Sequence, residues 1–177
     1  MPETSIDVIK RYLEDAIAAE KSFETQLDGF ANEGDDPVAQ SAFRQHATET
    51  KRQYERLTAR LEALGGTPSS TKSLLAHIFG MSPKTAQIGH EKQERTTQNL
   101  MMAYAVENSE MAMYEALATV AEAAGDTVTA SLAREIQGEE KATAEKVWKM
   151  IPTTAVRAYE RLIGIAGRAA SGTTAAV

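Results

Sequence analysis

Cysteine is absent from this chain of 177 residues. Disulfides and thiolate metal sites are therefore excluded, and any metal must be held by oxygen and imidazole. The absence of thiols fits a reducing compartment, so the expected location is the cytoplasm. Aromatic residues are scarce at 6%, and there are only 5 prolines and 11 glycines. Few helix breakers among abundant Ala, Glu, Lys and Leu favour helix. No apolar run approaches the roughly 20 residues that span a bilayer, and Met1-Pro2-Glu3-Thr4 lacks the basic start and apolar run of a signal peptide. No membrane partner is expected. Positive charge is also short, with a net charge of −6. A nucleic-acid surface needs clustered Lys and Arg, so no nucleic-acid partner is expected.

What is present is 42% hydrophobic and 25% charged, the balance of an ordinary globular protein. We expect one helical domain over residues 1–168 and a flexible tail over 169–177. The first helix starts at Thr4 or Ser5 and frays out in Asn32-Glu-Gly-Asp35. Asp36-Pro37 restarts the chain, with Asp as the cap and Pro in the first helical position. The second helix runs to about Leu64 and stops at Gly65-Gly66. A connection of about 25 residues follows, where adjacent antiparallel helices need two to eight. Ser73–Phe79 within it is expected to form a short helix. The third helix spans roughly 90–124. The fourth covers about 127–151 and ends before Pro152, and a fifth, shorter helix is expected from Thr153 to Ile165.

Helical periodicity makes some acids conspicuous. On helix three, Ala103, Glu107, Glu110, Tyr114, Leu117 and Ala121 step by four and three, the stripe a helix turns to a core. Glu20 occupies a core slot on helix one, between Ile17 and Phe23. The stripe of helix two is apolar at its ends but polar in the middle, at His46, Glu49, Thr50 and Gln53. Glu140 falls in the stripe of helix four, with Glu139 left for the surface. A lone carboxylate is too costly to bury, so such groups must be neutralised, paired or bound to metal.

Helix rise allows a depth check. Helices one and two make one hairpin, and three and four another. Glu20 lies about 10 residues before its helix ends and Glu49 about 12 after its helix begins. Glu110 and Glu140 lie about 14 and 13 residues from the second turn. Glu20 and Glu49 are 29 positions apart, and Glu110 and Glu140 are 30 apart. Two hairpins joined by one long crossover make the ferritin-like layout. Depth-matched carboxylates inside it would form a cage of hard oxygens suited to iron or manganese.

Ala18-Ala-Glu-Lys21, His46-Ala-Thr-Glu-Thr-Lys-Arg-Gln53, Glu107-Asn-Ser-Glu-Met-Ala-Met-Tyr114, Ala123-Ala-Gly-Asp126, Glu139-Glu-Lys141 and Ile151-Pro-Thr-Thr154 together resemble the YciE/YciF family of ferritin-like bacterial stress proteins. The resemblance covers about residues 5–165. It implies a four-helix bundle with a fifth C-terminal helix, a homodimer, a role in stress response and a di-metal carboxylate site with no established activity. The sequence departs from the ferritin-like ligand pattern, in which two helices each give a Glu and two give Glu-x-x-His. Here helix two carries the inverted order His46-x-x-Glu49. Helix four carries Glu140-x-x-Thr143, so its histidine is missing.

The candidate metal ligands are Glu20, His46, Glu49, Glu107, Glu110 and Glu140, with Glu110 preferred over Glu107. Against each stands a plainer reading: a solvated acid for Glu20, a hydrogen-bonded core histidine for His46. Gln53 is expected as a buried hydrogen-bond partner, and Tyr114 as a packed ring bonded to a carboxylate. Two functions follow. In one, a di-metal site of iron or manganese oxidises iron(II) or reduces peroxide. In the other, a non-catalytic dimeric stress protein with a degenerate site acts by binding a partner.

Overall fold

The computed structural model describes residues 4–68 and 89–164, and these are all-helical. Helix α1 spans Ser5–Glu33, α2 Pro37–Ala63, α3 Arg95–Ala123 and α4 Thr127–Leu162, with a single 3-10 turn at Lys92–Glu94 leading into α3. The expected Ser73–Phe79 helix and the expected 169–177 tail lie outside the described residues.

Local chemistry accounts for the ends. Thr4 and Asp7 cap α1 reciprocally: Asp7 N–H donates to Thr4 Oγ1 at 3.2 Å and Thr4 N–H to Asp7 Oδ2 at 3.1 Å. Asp36 Oδ1 accepts from Val38 N–H at 2.9 Å, with Pro37 in the first turn of α2. Where α2 and α3 stop, a glycine takes positive φ, 72° at Gly65 and 77° at Gly125. After Gly125 the chain closes the double-bonded helix stop: Asp126 N–H reaches Ala121 O at 2.9 Å and Gly125 N–H reaches Glu122 O at 3.0 Å. Asp126 then caps α4 through Thr129 N–H at 3.0 Å.

Helices α1 and α2 pack along each other, as do α3 and α4, and the two hairpins join chiefly through α1 against α3. Their apolar faces bury two separate clusters. Phe23, Leu27, Phe30, Phe43, Leu100, Val106 and Val147 fill one end. Ile9, Leu13, Ile17, Leu57, Leu61, Leu117 and Ile136 fill the other. Glu20, His46, Thr50, Gln53, Glu107, Glu110 and Glu140 are buried at the waist.

One expectation is corrected. Helix four does not end before Pro152, and no separate fifth helix occurs among the described residues: α4 continues through Pro152 to Leu162. Proline removes one backbone donor and crowds the carbonyl one turn earlier. Pro152 is exposed, so water can serve that carbonyl. Thr154 and Ala158 carry the buried stripe onward. Arg157 pairs with Asp36 at 3.0 Å and Arg161 with Asp35 at 2.6 Å, tying the extension to the α1–α2 turn.

Candidate metal centre

The waist is built by one short stretch from each helix. Glu20 of α1 is fully buried, and Glu107 and Glu110, one turn apart on α3, are at most 3% exposed. Glu140 of α4 is 2% exposed and His46 of α2 is 5%. Three of these side chains converge: His46, Glu107 and Glu140 each offer a ligand atom, all within 4.8 Å of one another. His46 Nε2 lies 2.6 Å from Glu107 Oε1, but the approach is off the direction of a hydrogen bond. The edge-on contact of Phe23 with the imidazole, 5.2 Å between ring centroids, orients the ring. Glu20 Oε1 accepts a short hydrogen bond from Tyr114, itself fully buried.

Most of the remaining polar atoms here have no partner. Glu20 Oε2, His46 Nε2, both oxygens of Glu107, Glu110 Oε1 and Glu140 Oε1 are buried without a hydrogen bond. Buried acceptors are normally satisfied. A group of them facing inward therefore fits an ion: their number and hardness suit a divalent cation such as iron or manganese.

Electrostatics points the same way. Burial, and then the charge of Glu140, pushes the Glu20 carboxyl well above the usual range. Burial raises Glu110, with Glu20 next in effect, and raises Glu140, with Glu107 next. Burial lifts Glu107 to about 8, partly offset by the adjacent Glu140 carboxyl. It drops His46 to about 4. Without a cation, burial favours the protonated form of each carboxyl and the neutral form of the imidazole, which is ready to donate its lone pair. Each site proton can be exchanged for a share of a metal's charge.

Glu49 stands apart from the other five. It is at the rim, its side chain 26% exposed and 3.9 Å from Lys146 Nζ. Gln45 Nε2 donates to it at 3.0 Å. Of the Glu107–Glu110 pair, the acid that joins His46 and Glu140 is Glu107, while Glu110 lies buried beside them. Gln53 is buried and bonds Glu139 at 3.1 Å, and Glu139 also pairs with Arg56 at 2.8 Å. Thr143 occupies the α4 position where a second histidine would sit, and it too is buried. Sequence reasoning missed Lys146 and the ring contact of Phe23. Neither leaves a signal in periodicity, since both depend on which helix lies opposite.

Among solved structures, the E. coli stress protein YciF is similar at 28% identity and a TM-score of 0.77, over 88% of this chain and 99% of that one. A protein from Xanthomonas campestris is 27% identical, with a TM-score of 0.75, over 89% of this chain and 98% of that one. A Dps protein from Bacillus brevis, at 19% identity and a TM-score of 0.68 over 85% of this chain and 99% of that one, shares the fold. The family model described as "Domain of unknown function (DUF892)" matches residues 4–160. With that span matched and YciF similar along nearly its whole length, the chain belongs to the DUF892 family, that of the ferritin-like YciE/YciF proteins.

Proposed function

We propose that this protein holds a pair of divalent metal ions, iron or manganese, at its waist and uses them to oxidise iron(II) or reduce peroxide. The observation that carries the reading is the set of inward-facing, unpartnered atoms on Glu20, His46, Glu107, Glu110 and Glu140. Four carboxylates balance two divalent charges, and the neutral imidazole adds a donor without adding charge. The metals, when bound, supply the electron transfer and the Lewis acidity. The chain does the rest. Glu107 and Glu140, with His46, would hold the metal, and Glu20 and Glu110, buried at the same waist, would complete the carboxylate set. Tyr114 holds Glu20 in one orientation and keeps a proton on its phenol, because burial and the Glu20 charge both resist ionisation. The two apolar clusters exclude bulk water above and below.

The test is metal content after anaerobic loading with iron(II) or manganese(II), followed by oxygen or peroxide. Wild type should retain about two ions per chain, as a two-metal site requires, and oxidise iron(II). Glu110→Gln and Glu140→Gln should lose both properties while staying helical. Equal, negligible metal in all three proteins would end the reading.

Thr143, in place of a second imidazole, favours a rival: a degenerate site in a non-catalytic stress protein that acts through a partner. The similar E. coli protein is a stress protein by description, and both readings extend that setting, in the cytoplasm, to this chain. Metal retained without iron(II) or peroxide turnover would support the rival. The same reading takes the protein as a homodimer, supported by Met101 and Trp148 at 50% and 57% exposure on the α3–α4 side. Light scattering reads that directly.

A further inference from the structure

Of the five waist side chains, His46 lines a cavity of about 50 Å³ between α2, α3 and α4; Gln45, Glu49, Thr143 and Lys146 are its other polar residues, and Phe43, Leu100, Val147 and Met150 make most of its wall apolar. A water needs roughly 10–15 Å³ of such space, so the cavity can hold a few waters, or a molecule the size of peroxide, beside the His46 ring. At its inner end His46 is 5% exposed, and its Nε2, without a hydrogen bond, lies 2.6 Å from Glu107 Oε1. At its outer end Glu49 is the half-exposed acid of the site, and its carboxylate is shared between the Gln45 amide at 3.0 Å and the Lys146 ammonium at 3.9 Å.

Resting on the metal-site reading above, we propose that Glu49 is the receiving carboxylate at the mouth of the site and that Lys146 is its latch, an internal cation that a divalent ion must displace to pass inward. Three observations converge. Glu49 differs from the five waist side chains in its exposure, so it can meet a hydrated ion that they cannot. It is placed on the same face as His46, one turn away, so a captured ion has an adjacent donor to move to. Lys146 also lines the same cavity as Glu49 and His46, so its ammonium stands beside the inward path. An incoming ion therefore feels that ammonium before and after it passes Glu49. At close range two like charges repel by about 1 kcal/mol even in water and more at a protein surface. Lys146 is 60% exposed on a flexible stem, so it can swing into solvent once Glu49 is taken. An ion of small charge and low affinity for carboxylate does not displace it, which makes the mouth selective for divalent over monovalent cations.

Uptake of cobalt(II), followed by its visible absorption in stopped flow, separates the inlet from the ligands, with the bound ions counted at saturation. Lys146→Met should load roughly tenfold faster at low ionic strength, the scale of electrostatic steering, with the advantage fading in high salt. Glu49→Gln should load slower by a similar factor. Both should bind the same number of ions at saturation as wild type. In the Glu49→Gln background, adding Lys146→Met should accelerate loading less than it does in wild type, because no pair remains to be broken. A Glu49→Gln protein that saturates with fewer ions would make Glu49 a resident ligand and overturn the proposal. So would Lys146→Met loading at the wild-type rate. In both of those cases wild type still binds metal and Glu110→Gln does not. Failure of the metal-site reading looks different: wild type and Glu110→Gln both take up no cobalt, and the inlet falls with the site.

Discussion

The dry ends of the bundle and its wet waist are made by the same four helices, yet they obey opposite rules. At the ends Leu13, Leu57, Leu61 and Leu117, or Phe23, Phe30 and Phe43, are buried against one another. Each apolar side chain removed from water contributes to folding, at about 25 cal/mol per Å². At the waist the same burial is applied to four carboxyls and an imidazole, and it opposes folding unless protons or metal offset the charge. Residues that stabilise thus lie within about one helical turn of residues that only a ligand justifies, as Ile17 and Phe23 flank Glu20. Stability at the ends is what allows the waist to be tuned for binding.

The comparison can be broken from either side, and the largest effect belongs to a dry end. Phe30→Ala should lower unfolding free energy by about 3–5 kcal/mol, measured by urea denaturation, because a packed ring leaves a cavity. A loss below about 1 kcal/mol would mean that end is loosely packed. The waist should respond in the opposite direction. Glu110→Leu should stabilise the metal-free protein by about 1–3 kcal/mol while abolishing metal retention, since apolar replacement of a buried, unpartnered carboxyl removes a desolvation cost. Destabilisation by that change would show that the acid is already satisfied.

Titration sharpens the same contrast. The folded-state pKa of Glu107 is raised from 4.5 to about 8, so its contribution is full below pH 4.5 and is lost as pH rises through 8. That of His46 is depressed from 6.5 to about 4, so its contribution is present above pH 6.5 and lost as pH falls through 4. Between pH 6.5 and 8 the Glu107 contribution declines while that of His46 is constant, and the thermal midpoint of the metal-free protein should fall across that window. Metal loading should flatten the fall. The smallest effect is expected at the surface. Arg157→Ala removes a half-exposed pair with Asp36 and should cost about 1 kcal/mol or less, seen as earlier amide exchange in the last turns of α4.

Much of this organisation was legible in the residues. Thr4, Asp36-Pro37, Gly65 and Gly125-Asp126 mark helix ends because capping is satisfied within a few residues and needs no distant partner. Glu20, Glu107, Glu110 and Glu140 stood out because an acid in an apolar stripe violates the period of its own helix. The stop expected before Pro152 was a local inference that tertiary context reversed. An exposed proline leaves its lost bond to water, and Arg157 and Arg161 hold the continuing helix to the α1–α2 turn.

Local chemistry alone therefore determined the four rods, their caps and the acidic faces they carry, because those features depend on spacing along one helix. Only the folded bundle decided which of the acids meet. Glu107 and Glu110 share one arc of α3, and His46 and Glu49 one arc of α2, so the period of the helix cannot separate them. Glu107 meets His46 and Glu140 while Glu49 stays at the rim beside Lys146, because the helix opposite each residue sets how far its side chain reaches inward.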